Sequence, residues 1–220
     1  MPIVYQHNIN EHTKLALWQI EEPESFFLQR VPLKQEVSHP HKRLQHLAGR
    51  YLLPVLFPDF PLEAIRVADT RKPFLENEQY HFSISHCGNY AAAIVSTRQR
   101  VGIDIEAITP RILRVQHKFV GPAEGEMLGR ETSDVSRLPT IDPRLLTLLW
   151  SAKEVIFKWY GTGQLDFREH MRLSGPPAMD EQGFVTMPFT FNREKEIQLT
   201  VYGRFMDQLV LSWTGTGNGA

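Results

Sequence analysis

A single cysteine, Cys87, stands among 220 residues. One thiol cannot build an intrachain disulfide framework, and its scarcity fits a reducing compartment. A zinc site is excluded by the same count, because the histidines are scattered rather than spaced as ligands. Charge of one sign is missing too: 24 lysines and arginines face 25 acids, for a formal net charge of −1. A globally basic nucleic-acid binder is therefore ruled out, and any anion site must come from local clustering. No apolar run approaches membrane-spanning length. The opening Met1-Pro2-Ile3-Val4-Tyr5 has no charged-then-apolar secretion pattern. Neither a Walker A loop nor a dinucleotide fingerprint occurs. The expectation is a soluble cytoplasmic protein with no nucleic-acid or membrane partner, and 42% hydrophobic residues are ample for a core.

The apolar spacing predicts a helix from about Lys42 to Leu56, with Leu44, Leu47, Ala48, Tyr51 and Val55 as its buried stripe and Pro54 kinking or ending it. A short strand is expected at Ile65–Ala68, then a turn near Asp69–Pro73. Three strands should follow, at His81–Ser85, Tyr90–Ser96 and Val101–Glu106, with a tight turn at Gly88-Asn89. Helical residues Ile112, Val115 and Phe119 precede a polar loop over Ser133–Asp142. A long helix is predicted over Leu145–Tyr160, and strands at Phe184–Met187, Phe189–Phe191, Ile197–Tyr202 and Leu209–Trp213 before a frayed tail. No short repeat is visible. The fold class expected is α+β, in two packed halves, 1–108 and 109–220, with a site between them.

Chemistry concentrates in four places. In Val101-Gly102-Ile103-Asp104-Ile105-Glu106 two carboxylates alternate with isoleucines, so Asp104 and Glu106 share a strand face. They repel unless a cation lies between them, although a solvated strand face would show the same alternation. Trp150-Ser151-Ala152-Lys153-Glu154-Val155-Ile156-Phe157-Lys158 is an apolar helix in which Glu154 and Lys158, four apart, share a face. An ordinary surface pair has that spacing, but so apolar a helix leaves little solvated face, and a charge there calls for a metal or phosphate partner. Three acids together suit a hard, oxygen-loving ion such as Mg²⁺. Arg43, His46 and Arg50 recur at i, i+3 and i+7 as a cationic stripe, either a solvated face or a phosphate dock. Phe82-Ser83-Ile84-Ser85-His86 places His86 at a strand end; no nucleophile elbow surrounds the Ser-His pair, and phosphate contact by Ser85 and His86 fits better than a hydrolase triad. Arg71-Lys72-Pro73-Phe74 adds cations on a proline-fixed turn.

Taken in order, Arg71-Lys72-Pro73-Phe74, Phe82–His86, Val101–Glu106 and Trp150–Glu154 with Lys158 resemble the 4′-phosphopantetheinyl transferases, in particular the larger two-lobed, surfactin-synthetase-activating type. The resemblance covers about residues 40–165. It implies a pseudo-dimer of two similar α+β lobes with coenzyme A in the cleft between them. It implies that Asp104, Glu106 and Glu154 hold Mg²⁺ on the coenzyme A pyrophosphate, and that Lys158 contacts phosphate. Ser85 and His86 match the family's Ser-His pair at the coenzyme A phosphates, and Lys72, in the Lys72-Pro73 motif, lies near the nucleotide. Two departures stand out. Arg71 replaces a glycine that many relatives carry, and Gly161-Thr162-Gly163 lacks a lysine found in Gly-Lys-Gly. Arg43 and Arg50 have no firm counterpart in the family pattern.

The residues by themselves suggest metal-assisted attack on a diphosphate, in which positioning and charge stabilisation do most of the work. The resemblance supplies the substrates: a serine of an apo acyl or peptidyl carrier protein attacks coenzyme A and 3′,5′-ADP leaves, as in the holo-[acyl-carrier-protein] synthase activity. Glu154 is the candidate general base and Lys158 the pyrophosphate stabiliser. A monomer could close such a site. Two other readings remain open from the residues: a Mg²⁺-dependent nucleotide pyrophosphatase, and a non-catalytic coenzyme A or carrier-binding protein.

Overall fold

The computed structural model describes residues 3–32, 37–129 and 141–215. It is a mixed α+β chain that divides into two compact units, Met1–Ile105 and Glu106–Ala220. Among the described residues no helix is long and apolar enough to cross a membrane.

In the first unit, β1 (Ile3–Asn8) and β2 (Thr13–Gln19) form an antiparallel hairpin. Two helices follow, the short α1 (Glu24–Leu28) and the long α2 (Pro40–Leu56). A small β3–β4 pair (Arg66–Val67 and Pro73–Phe74) leads into β5 (His81–Cys87) and β6 (Tyr90–Ser96). The sheet order is β1-β2-β6-β5. Cys87 pairs Tyr90 across a two-residue turn in which Gly88 has φ +54°, a left-handed position that glycine takes without steric cost. The chain leaves this unit within β7 (Val101–Ala107).

Helix α2 starts two residues before the predicted Lys42, because Pro40 occupies its first turn and the His39 ring accepts the Lys42 N–H at 3.4 Å. It runs past Pro54 to Leu56; so near the end of the helix, one lost backbone bond does not break it. The buried face is Leu47, Ala48, Leu52, Leu53 and Leu56, packed with Trp18, Phe27, Ala91 and Ala93, while Leu44 and Tyr51 lie at its margin. The approach to the sheet is closest at Gly49. A Cβ there would come 2.5 Å from Ile84 Cγ2, a branched side chain with little room to move.

The second unit holds α3 (Ile112–Val115), α4 (Pro122–Met127) and α5 (Pro143–Tyr160). Its strands are β8 (Met171–Leu173), β9 (Ala178–Met179), β10 (Phe184–Asn192), β11 (Glu196–Met206) and β12 (Leu209–Gly215). Four run in the order β12-β11-β10-β8, and β9 also pairs β10. Asp142 caps α5 by accepting the Arg144 N–H at 2.8 Å, and Gly161 at φ +82° ends it. Leu148, Leu149, Val155 and Ile156 pack with Phe189, Val201 and Val210.

The two strands expected at Phe184–Met187 and Phe189–Phe191 are one strand, β10, with Pro188 inside it. In an antiparallel strand a residue's own N and C=O face the same side. The Pro188 carbonyl accepts from Ser174 N at 2.9 Å, so its missing N–H faces that side and not β11. Pro188 sits between the residues that pair β9 and those that pair β8, so the β10–β11 ladder is unharmed. The expected loop over 133–142 lies outside the described residues as far as position 140, and most of the expected tail also lies outside them.

Candidate active site

Strand alternation sorts the Ser-His motif of β5. Ile84 and His86 lie on one face, Ser83 and Ser85 on the other. The first face lines a pocket of about 450 Å³ together with His46 and Arg50 of α2, Val67 and Pro73 of the β3–β4 pair, and Arg71 of the turn between them. Gly49 permits this gathering, since the tight α2–β5 contact sets the neighbouring Arg50 beside the strand. Arg50 is only 5% exposed; burial lowers its pKa, but a guanidinium stays charged at neutral pH, and among the described residues no acid lines the pocket. Burial, then the nearby Arg50 and His86, push the His46 pKa down to about 4, so this ring is neutral at neutral pH. Arg71 stands at φ +65°, a backbone state in which a glycine would be unstrained, and it presents a cation to the pocket. A wall of arginine and histidine against Val67, Pro73 and Ile84 suits a ligand with an anionic and an apolar part.

The other face of β5 has a different task. Ser85 Oγ donates to Asp104 Oδ1 at 2.8 Å and accepts the Ile105 N–H at 3.3 Å; Ser83 Oγ accepts the Ile103 N–H at 3.2 Å. The two hydroxyls thus tie β5 to β7, and that of Ser85 orients the Asp104 carboxylate, which is 3% exposed. Ser85 and His86, expected together at phosphate, lie on opposite faces, and only His86 lines the pocket.

Neither Arg43 nor Lys72 is among the pocket-lining side chains. Arg43 Nε donates to Glu24 Oε1 at 2.8 Å and Nη1 to the Val37 carbonyl at 3.1 Å, which clips α1 to α2. Pro73 lines the pocket while its neighbour Lys72 is half-buried, with its pKa lowered to about 8 by burial and then by Arg100.

In the second unit Glu106 Oε1 accepts a hydrogen bond from Trp150 Nε1 at 3.0 Å. Trp150, Glu154, Phe157 and Lys158 form the half-buried stripe of α5, and among its residues only Arg144 is fully exposed. Glu154 and Lys158 therefore do share a helix face, on a helix with almost no solvated side. Lys153, inside the same motif, points away. It is 0% exposed and its Nζ donates to the Phe119 carbonyl at 2.6 Å, Glu124 Oε2 at 2.8 Å and the Phe167 carbonyl at 2.8 Å. Glu124 also accepts the Gly121 N–H at 2.6 Å and the Leu173 N–H at 2.9 Å. Burial lowers the Lys153 pKa, with Glu124 opposing. This pair is structural. Sequence reasoning missed it because Glu124 lies in a different helix, at no diagnostic spacing from Lys153. His46 was visible only as part of a stripe, and nothing in the sequence marked Trp150 as a donor to Glu106.

The acids suit magnesium by donor chemistry. Asp104 and Glu106 offer hard carboxylate oxygens, and each carboxylate is oriented by a hydrogen bond, as suits a ligating carboxylate. Among the described residues no three His, Cys, Asp or Glu side chains are already grouped to hold an ion. Magnesium commonly takes only one or two carboxylates and completes its shell with water and substrate phosphate.

Comparison with known proteins bears on the same segment. The 4′-phosphopantetheinyl transferase superfamily matches residues 100–205, a span that includes Asp104, Glu106, Glu154 and Lys158. Enterobactin synthase component D of Escherichia coli (strain K12) is 35% identical over 120 residues, covering 53% of this chain and 54% of that protein. The protein of the same name from Salmonella typhi is 34% identical over 118 residues, 53% of this chain and 47% of its own length. The chain spans about half the length of these curated relatives. Residues 100–205, with their Gly-Ile-Asp-Ile-Glu strand and Trp-Ser-Ala-Lys-Glu helix, are the part of the chain that is similar to the 4′-phosphopantetheinyl transferase superfamily.

Proposed function

We propose that the chain moves the 4′-phosphopantetheine group of coenzyme A to a serine of an apo carrier protein and releases 3′,5′-ADP. The superfamily match supports the reaction class. The observation that carries the substrate is the pocket of Arg50, Arg71, His46 and His86, in which no acid among the described residues competes for an anion. Coenzyme A offers such a pocket both phosphate and an apolar base, and arginine's planar fork matches phosphate oxygens.

Asp104, Glu106 and Glu154 would hold Mg²⁺ on the diphosphate. When bound, the ion supplies charge neutralisation of the phosphoryl oxygens and of the leaving group. Ser85 and Trp150 keep the Asp104 and Glu106 carboxylates oriented. Glu154, on the half-buried face of α5, would take the proton of the attacking serine, and Lys158 one turn on would offset negative charge on the pyrophosphate. Lys72, near the nucleotide, would add a cation whose pKa of about 8 leaves it largely charged at neutral pH. Arg43 stays with Glu24 in this account and stiffens the approach of α2 to the pocket.

The larger two-lobed transferase type, a cytoplasmic monomer, is the form proposed. Its carriers would be acyl or peptidyl carrier proteins, and the names of the relatives point to enterobactin synthesis as one setting. Calorimetry of coenzyme A binding tests the pocket. Arg50→Ala and His86→Ala should each weaken binding by about tenfold or more while the turnover of bound coenzyme A falls far less, because phosphate contacts mainly position. Parental affinity in both variants would remove the pocket from the account.

A further inference from the structure

Trp150 lies between two aromatic rings whose backbones are held by one lysine. Its indole meets Phe119 at 5.2 Å between centroids, edge-on at 64°, and Phe167 at 5.3 Å, tilted by 30°. The carbonyls of those same two residues accept from Lys153 Nζ, three positions along α5 from Trp150. Lys153 is in turn fixed by Glu124, whose carboxylate takes two backbone N–H groups besides. The indole is thus clamped by a fully satisfied buried network, the kind of surrounding that holds a side chain in one rotamer. Its N–H is spent on a single acceptor, Glu106 Oε1, at 3.0 Å.

We propose that Trp150 is a positioning residue for Glu106, aiming that carboxylate at the metal through its indole N–H, with the Lys153–Glu124 pair as the anchor that keeps the indole in place. This rests on the reading of Glu106 as a magnesium ligand. Indole is a donor only, so it orients a carboxylate without competing for the cation. A rigid donor behind a ligating carboxylate raises metal affinity by fixing the ligand before the ion arrives, and removing such a partner costs about 10–100-fold in affinity. Packing alone would not require a nitrogen at this position. Phenylalanine would fill most of the same space between Phe119 and Phe167.

The test uses Mn²⁺ as a spectroscopic stand-in for Mg²⁺, titrated into the full chain with coenzyme A and read from the electron paramagnetic resonance signal of the free ion. Trp150→Phe should weaken Mn²⁺ binding about tenfold while coenzyme A affinity without metal and the thermal midpoint stay close to the parent. Glu106→Gln sets the scale. Adding Trp150→Phe to Glu106→Gln should change Mn²⁺ affinity less than about twofold, since the donor has lost its carboxylate and the two effects cannot add. If Trp150→Phe unfolds the protein, benzothienylalanine at position 150 keeps the size and removes only the N–H, and the same loss is expected. Parental Mn²⁺ affinity in Trp150→Phe beside a weakened Glu106→Gln would overturn the positioning role and leave Glu106 a ligand. Parental affinity in Glu106→Gln itself would take down the reading of Glu106, and the proposal with it.

Discussion

At the scale of single residues, the site is organised by what each side chain is hydrogen-bonded to. Asp104 is buried and receives the Ser85 hydroxyl at 2.8 Å, which fixes the carboxylate in place. Asp104→Ala should abolish transfer at saturating Mg²⁺ and leave the far-ultraviolet spectrum and melting cooperativity of the parent; near-normal turnover would remove Asp104 from the metal site. His46 carries a separate consequence. Its folded pKa of about 4 lies below the ordinary 6.5. Between those values the unfolded chain binds a proton that the folded ring refuses, so stability falls as pH drops through the window and levels off beneath it. His46→Gln should flatten that loss, read from urea midpoints at pH about 6.5 and about 4. An unchanged slope would mean that the ring is not shielded by Arg50 and its burial.

At the scale of elements, the legible parts of the sequence were those where local chemistry and tertiary packing agree. Helix α5 could be read over Leu145–Tyr160 because its apolar residues run unbroken to Gly161; its start lies two residues earlier, at Pro143, where Asp142 caps it. The β5–β6 hairpin was equally plain, with Gly88-Asn89 as a turn between the alternating β5 and the continuous apolar run of β6. The β1–β2 hairpin gave no such signal. Ile3–Asn8 mixes polar and apolar residues, its turn is marked only by Asn8 and by Asn10, whose side chain accepts the His12 N–H at 2.9 Å, and β2 is nearly all buried, so alternation is lost. Pro188 argued for a break that register made harmless. Within the site, the spacing rules placed Glu154 and Lys158 on one face correctly, and strand alternation shows why Ser85 parts from His86. Spacing could not reveal that Lys153 is an internal strut, because its partner Glu124 comes from another helix. Glu124→Ala leaves that lysine buried without its carboxylate and should destabilise the second unit by about 3–5 kcal/mol. Denaturant unfolding would measure it, and a loss within the range of ordinary surface substitutions would mean that the carbonyls of Phe119 and Phe167 alone satisfy the charge.

At the scale of the whole molecule, each unit sets one long helix against an antiparallel sheet, and each carries different charged groups. The first holds the cationic pocket and Asp104; the second holds Glu106 at the end of β7, and Glu154 and Lys158 on α5, a helix braced by a buried ion pair. An enzyme with a bound diphosphate and an oriented carboxylate could pass the group to water as readily as to serine unless the carrier fixes the attacking oxygen in place. The most direct measurement is therefore the mass of an apo carrier protein incubated with the chain, coenzyme A and Mg²⁺, followed together with the 3′,5′-ADP formed. The carrier should gain one phosphopantetheine, 3′,5′-ADP should appear in equal amount, and Lys158→Ala should slow both alike. Steady breakdown of coenzyme A with a carrier whose serine is replaced by alanine, or with no carrier at all, would contradict the transferase and make the protein a pyrophosphatase.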